Sequence, residues 1–190
     1  MRMKSHSGAQ GFITISSVKR SDGRIISTQE AVDAGIIKPS GFKPRGWGIE
    51  KSEVPLGYNT MVDNGRQLLA YLFGGRTPAG SFVCSRFGIG TGTEATNTSF
   101  TDLVSPVNFY NDSGLKPTKP INGVDFPVPF IARVEFALDT SEAVGILITE
   151  MGLYAADIGS GDTTLLARKT LTGYPKTGDF APVFLWRVRF

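Results

Sequence analysis

Residues 130–139 read Phe130-Ile131-Ala132-Arg133-Val134-Glu135-Phe136-Ala137-Leu138-Asp139. In an extended chain, successive side chains point to opposite faces. Phe130, Ala132, Val134, Phe136 and Leu138 therefore share one side, and Ile131, Arg133, Glu135, Ala137 and Asp139 share the other. That alternation predicts a half-buried antiparallel strand. The C-terminal run repeats it: Phe184, Trp186, Val188 and Phe190 share a face, and Arg187 and Arg189 share the opposite one. Between them, Val144–Tyr154 reads as a longer apolar strand with a bulge expected at Gly152. Asp157–Asp162 reads as a hairpin loop and Thr163–Leu171 as the returning strand. Four successive strands with short turns predict a meander, and an apolar sheet face needs a second layer. The expected fold class is therefore mainly β: an antiparallel β-sandwich, jelly-roll-like, with one or two short helices.

Upstream, Phe12–Val18 is a strand closed by the turn Ser21-Asp22-Gly23. Ser27-Thr28-Gln29-Glu30 has capping-box spacing, with Gly35 suited to the position after the helix end, which predicts a helix near 28–34. A second helix is expected over Asn64–Phe73, with Leu68, Leu69, Leu72 and Phe73 on its buried face and Gly74-Gly75 after it. Phe82–Phe87 is a strand followed by the glycine-rich run Gly88–Thr93. Ser99–Val104 is expected to form one helical turn, and Asn111–Pro129, with four prolines, a loop. Residues 1–11 read as a flexible arm. Residues 12–190 read as a single domain with an irregular insert at 36–60, rich in proline and glycine.

Composition narrows the function. A chain of 190 residues is one domain by length and buries a full core without staples. One cysteine, Cys84, excludes an internal disulfide framework and any cysteine-rich zinc site, and one histidine, His6, lies in the arm. No apolar run reaches the length of a membrane helix, and the N-terminus lacks a signal peptide's apolar block, so no membrane role is expected. Residues 1–76 carry eleven Lys and Arg against six Asp and Glu, and residues 77–190 carry nine against eleven. This surplus is too dilute for a nucleic-acid groove.

Signals for catalysis are weak. Gly88-x-Gly90-x-Gly92 lacks the spacing of a dinucleotide loop and reads as a turn after a strand. There is no phosphate-cradling loop with its lysine and no nucleophile elbow. Cys84 has no histidine to activate it and reads as a small buried hydrophobe. Asp157 and Asp162 with Ser160 offer too few oxygens for calcium. Glu135 and Glu150 are the candidate pair for glycoside cleavage by strand parity alone. No cofactor is expected. Trp47, Tyr58, Phe109, Tyr110 and Tyr174 fall in loop-like stretches and are candidates for a protein interface or a platform for host carbohydrate.

Several short motifs occur in a recognisable order. Gly90-Thr91-Gly92-Thr93-Glu94-Ala95 leads to Asp102-Leu103. Arg133-Val134-Glu135-Phe136 follows, then Ile148-Thr149-Glu150-Met151-Gly152-Leu153-Tyr154, then Leu165-Leu166-Ala167-Arg168. With the helix around Asn64-Gly65-Arg66, these resemble the structural proteins of tailed bacteriophages, specifically tail-fibre, collar and baseplate components. The resemblance covers about half of the chain. It implies a non-enzymatic virion protein, assembled in the host bacterial cytoplasm and present in several copies at the neck, tail, baseplate or fibre attachment. Its partners would be other virion proteins and further copies of itself. Alternatives are a capsid decoration protein and a module that binds host carbohydrate. Glu150 and Arg168, on adjoining strands of one hairpin with Gly152, are expected to fix its register by opposite charge, with Glu150 partly buried and hydrogen-bonded.

Overall fold

The computed structural model describes residues 10–37, 53–73, 82–111 and 114–189. In chain order the elements are β1 (Gln10–Arg20), β2 (Ile25–Ile26), α1 (Thr28–Asp33), β3 (Val54–Met61), α2 (Asp63–Phe73), β4 (Phe82–Gly90), β5 (Tyr110–Asn111) and β6 (Leu115–Lys116). There follow β7 (Thr118–Pro120), β8 (Gly123–Val128), β9 (Ile131–Ala137), β10 (Leu147–Asp157), β11 (Thr163–Pro175) and β12 (Phe180–Arg189). The fold is a mainly β, antiparallel sandwich, with two short helices among the described residues.

The hydrogen-bonded order is β7-β4-β10-β11-β3-β1-β12-β9-β8, with β2 on β1 and with β5 and β6 paired separately. The two layers meet where β11 pairs with β3, through Ala167 with Met61 and Arg168 with Thr60. On one side of that short corner lie β7, β4, β10 and β11, and on the other β3, β1, β12, β9 and β8. Five strands separate β4 from β9 in this order, yet Phe87 of β4 stacks on Phe136 of β9 with ring centroids 4.4 Å apart. Phe136 in turn stacks on Phe184 at 5.3 Å, and Tyr174 meets Phe184 edge-on at 6.0 Å. This aromatic column joins the layers. Each fully buried ring contributes roughly 1.5–3 kcal/mol through removal of its area from water.

Several expectations change. The last four long strands are not a meander. Only β10 and β11 pair as consecutive neighbours, while β12 lies between β1 and β9. The first and last described strands thus lie side by side, because β1 and β12 can each be apolar towards the same interior. The first strand begins at Gln10, inside the expected arm, and residues 1–9 lie outside the described residues. The insert at 36–60 ends in β3, which pairs with β1 on one side and β11 on the other. Its residues 38–52 lie outside the described set. The loop at 111–129 contains the short strands β6, β7 and β8. Residues 99–104 form turns and no helix. Phe130 does not join the apolar face of β9. It sits in the β8–β9 turn with φ 67° and is 77% exposed.

Both helices follow local chemistry. Ser27 caps α1 and exchanges hydrogen bonds with Glu30, and Gly35 follows with φ 72°, a value that favours glycine. Helix α2 packs on β11 at Gly65, where an added Cβ would come closer than 3.0 Å to the Leu166 carbonyl. Replacing glycine by alanine in a helix ordinarily gains about 1 kcal/mol. Here Gly65→Ala is expected to lose about 1–3 kcal/mol through overpacking against backbone, measured by urea denaturation. A stabilised variant would show that this approach does not constrain the helix.

Candidate functional site

Strands β4, β10 and β11 lie side by side, and their side chains alternate between the aromatic interior and an outer face. Ile89, Met151, Leu153 and Ala167 enter the interior cluster. Gly88, Gly90, Glu150, Gly152, Arg168 and Thr170 take the outer side by the same parity. In register, Glu150 lies opposite Gly90 on one side and Thr170 on the other. Gly152 lies opposite Gly88 and Arg168. Glu150 and Arg168 are thus diagonal neighbours across the hairpin.

Glu150 and Arg168 are both fully buried. Arg168 Nε donates to Glu150 Oε2 at 2.8 Å. Nη2 lies 2.7 Å from the same oxygen, within ionic contact but outside hydrogen-bonding geometry. Three backbone amides also donate to the carboxylate. Gly92 and Ser105 reach Oε1 at 3.1 and 2.7 Å, and Val104 reaches Oε2 at 3.1 Å. Arg168 Nη1 donates to the Glu94 carbonyl at 3.0 Å, and its guanidinium lies 4.5 Å from the centre of the Phe100 ring. All these partners come from residues 92–105. This segment forms a strap across the outer face and returns to β4 through the Gly90–Pro106 bridge.

The glycines follow from this geometry. A Cβ on Gly90 or Gly92 would come closer than 3.0 Å to the Glu150 carboxylate, and one on Gly152 would meet Leu165, Tyr154 and Leu103 at 2.9–3.0 Å. The run Gly88-x-Gly90-x-Gly92 is therefore not a turn after a strand. Its first two glycines lie within β4, and Gly90 and Gly92 clear room for a buried carboxylate. Nor is the hairpin bulged at Gly152: its irregularities fall between Ile148 and Glu150 and between Leu153 and Tyr154. A second tie holds the strap, since Tyr154 donates to Asp102 Oδ1 at 2.6 Å above a small apolar cluster of Val62, Leu103, Tyr154 and Leu165.

A second buried pair escaped the sequence reading. Arg187, assigned only to a polar face of its strand, is fully buried and forms a two-pronged contact with buried Glu53. Its Nη1 and Nη2 donate to Oε2 and Oε1 at 2.7 and 2.6 Å. Thr14 donates to Glu53 as well and accepts from Arg187 at 3.0 Å. Glu53 precedes β3 and is distant in sequence from Arg187, so no local spacing signals the pair. Arg133 lies opposite Arg187 in register and is bound to Asp125 of β8. Hydrogen bonding to Arg133 and the charges of Arg133 and Arg187 hold the Asp125 carboxyl below its usual range, although partial burial opposes them.

The remaining candidates disperse. Phe109 and Tyr174 are core residues, and Tyr110 is half-buried against the core with Lys119 over its ring at 5.6 Å. Tyr58 lies within β3 and is 43% exposed, while Trp47 lies outside the described residues. The described aromatics therefore form no common loop platform. Glu135 is exposed on β9, whereas Glu150 is sealed on β10, and β9 and β10 are not neighbours, so they do not face one another as a hydrolytic pair. Asp157 accepts from the Gly159 amide, and Ser160 donates to Asp162, closing the hairpin turn. Among the described residues, no three His, Cys, Asp or Glu side chains are grouped to hold a metal, and no helix is long and apolar enough to cross a membrane.

Two outcomes test this site. Glu150→Gln or Arg168→Met alone is expected to cost about 3–5 kcal/mol, because each strands a buried polar partner. The double variant should cost clearly less than the sum, as read from a urea double-mutant cycle. Additive losses would show that the pair is not coupled. Burial pushes the Cys84 thiol up to about 12 and raises the Tyr174 and Tyr154 hydroxyls, the latter helped by Asp102. The unfolded chain releases these protons near the ordinary values of 9.0 and 10.0, while the folded chain retains them. Stability is therefore intact below about pH 9 and falls as pH rises beyond it, by up to about 1.4 kcal/mol per unit per group. Thermal melts from pH 8 to 11 should show this decline, and Tyr174→Phe should flatten it.

Comparison of the chain with protein-family models, with curated proteins and with solved structures gives no match in any of the three.

Proposed function

We propose that this chain is a non-enzymatic structural protein of a tailed-bacteriophage virion, used in several copies in the neck, tail, baseplate or fibre-attachment region. One observation carries the reading. Gly90, Gly92, Glu150 and Arg168, which bear the resemblance to such proteins, converge on one sealed cluster where Glu150 and Arg168 have no exposed surface. A motif whose charged groups are consumed by internal contacts supports a scaffold over a reaction centre, since a catalytic group must reach a substrate. Exposed apolar side chains on the edge hairpin β8–β9 also favour a protein with neighbours.

A carbohydrate-binding role loses support, because Phe109 and Tyr174 are in the core. Quantitative mass spectrometry of purified phage particles whose genome encodes this chain tests the proposal. The chain is expected in several copies per particle, retained through density-gradient banding. Its absence from banded particles, or turnover of a substrate by the purified protein, would overturn the reading.

A further inference from the structure

Asparagine is a thermolabile residue, most of all before glycine, where no side chain shields the following backbone nitrogen from the amide. The chain has two such pairs, Asn64-Gly65 and Asn122-Gly123, and the fold treats them oppositely. Asn64 lies in the first turn of α2 with anchors on both sides. The Val62 and Asp63 amides donate to the carbonyls of Leu166 and Thr98 at 3.0 and 2.7 Å, and the Arg66 amide donates to the Val62 carbonyl at 3.1 Å. Gly65 is buried against the Leu166 backbone.

Asn122 stands just before β8, the last strand of its layer, which pairs with β9 and with no other described strand. Asn122 and Gly123 are both exposed. The Asn122 backbone amide donates to the Glu135 carbonyl at 2.7 Å, but its side-chain amide has no hydrogen-bond partner among the described residues. A Cβ built on Gly123 meets no atom within 4 Å, so nothing crowds this peptide from the glycine side.

We propose that Asn122 is a site of spontaneous covalent modification, where the side-chain amide is exchanged for a carboxylate while Asn64 is preserved. The Gly123 nitrogen attacks Asn122 Cγ, and the new C–N bond closes a cyclic imide. The Cγ–Nδ2 bond breaks, and the departing amino group takes the Gly123 proton and leaves as ammonia. Water then adds to either imide carbonyl and reopens the ring. One product is aspartate; the other is isoaspartate, in which the main chain runs through the former side chain. Water is the sole co-reactant, and nothing is oxidised or reduced. Attack requires the peptide to rotate out of its ordered conformation. At the sheet edge this takes a local opening, whereas at Asn64 it takes unwinding of the first helical turn and withdrawal of Gly65 from Leu166. Both products place a carboxylate in a cleft of about 270 Å³ lined by Asn122, Gly123, Val124, Asp125, Arg133 and Glu135. Arg133 is already engaged there by Asp125, so the modification makes this edge more acidic and lowers the chain's net charge by one from +3.

The test is storage of the full purified chain for several weeks at neutral pH and body temperature. Samples are followed by cation-exchange chromatography and by peptide mass mapping with isoaspartate-specific methyl labelling. A more acidic species is expected to accumulate, with the amide-to-acid mass gain and the label at residue 122. Conversion at residue 64 should be at least about tenfold slower, because it waits on opening of the helix, and in urea the two sites should convert at similar rates. Gly123→Ala has room for its methyl group and a backbone outside the left-handed region. It should keep the far-ultraviolet spectrum and slow conversion at residue 122 severalfold by shielding the nitrogen. An unmodified Asn122 in the aged folded chain would end the proposal. Conversion of Asn64 at a comparable rate in the folded chain, or an acidic species undiminished in Gly123→Ala, would do the same.

Discussion

A carboxylate with no access to water must find donors for its charge, and Glu150 determines what surrounds it. Four hydrogen bonds reach its two oxygens, three of them from backbone amides of one segment. Leaving such a group unpaired costs several kcal/mol, so the chain around it has little freedom. Residues 92–105 must pass close enough for their N–H groups to point inward. The positions beneath must be glycine, because any Cβ at 90 or 92 would occupy the carboxylate's place. Arg168 must enter from β11 on the diagonal, which fixes the register of the β10–β11 hairpin. A one-residue slip would send Arg168 to the aromatic interior.

The same solution recurs on the other layer. Arg187 and Glu53 are buried together with Thr14, and the pair ties β12 to the start of β3. Buried ion pairs contribute little net stability, because desolvation offsets much of the attraction. The free energy comes instead from the aromatic column of Phe87, Phe136, Phe184 and Tyr174 and the aliphatic side chains around it. The division of labour is clear: apolar burial makes the layers adhere, and the two ion pairs select which strands adhere in which register.

Much of the local structure is legible in single segments. Period-two alternation marks β1, β9 and β12, the Ser27–Glu30 spacing marks α1, and the leucine pattern marks α2, because each signal depends on residues within one turn or one strand. Strand order is not legible that way. Adjacency of β1 to β12 and of β10 to β4 depends on which apolar faces meet, and many strands share the same alternation. The prolines at 117, 120, 127 and 129 suggested a loop, yet short edge strands tolerate proline. Phe109 and Tyr174 are core residues despite their sequence surroundings, because a loop-like neighbourhood in sequence says nothing of what folds over it.

By itself, the sequence determined the strand-built class, the two helices and the closeness of Glu150 to Arg168, since a hairpin brings near neighbours together whatever the rest of the chain does. Tertiary structure alone decided that this pair is sealed from water, that Gly90 and Gly92 serve it, that Arg187 finds Glu53, and that Val124 and Phe126 remain uncovered. Those outcomes depend on contacts between segments far apart along the chain. Burial is a property of the whole packed volume, and no local pattern encodes it.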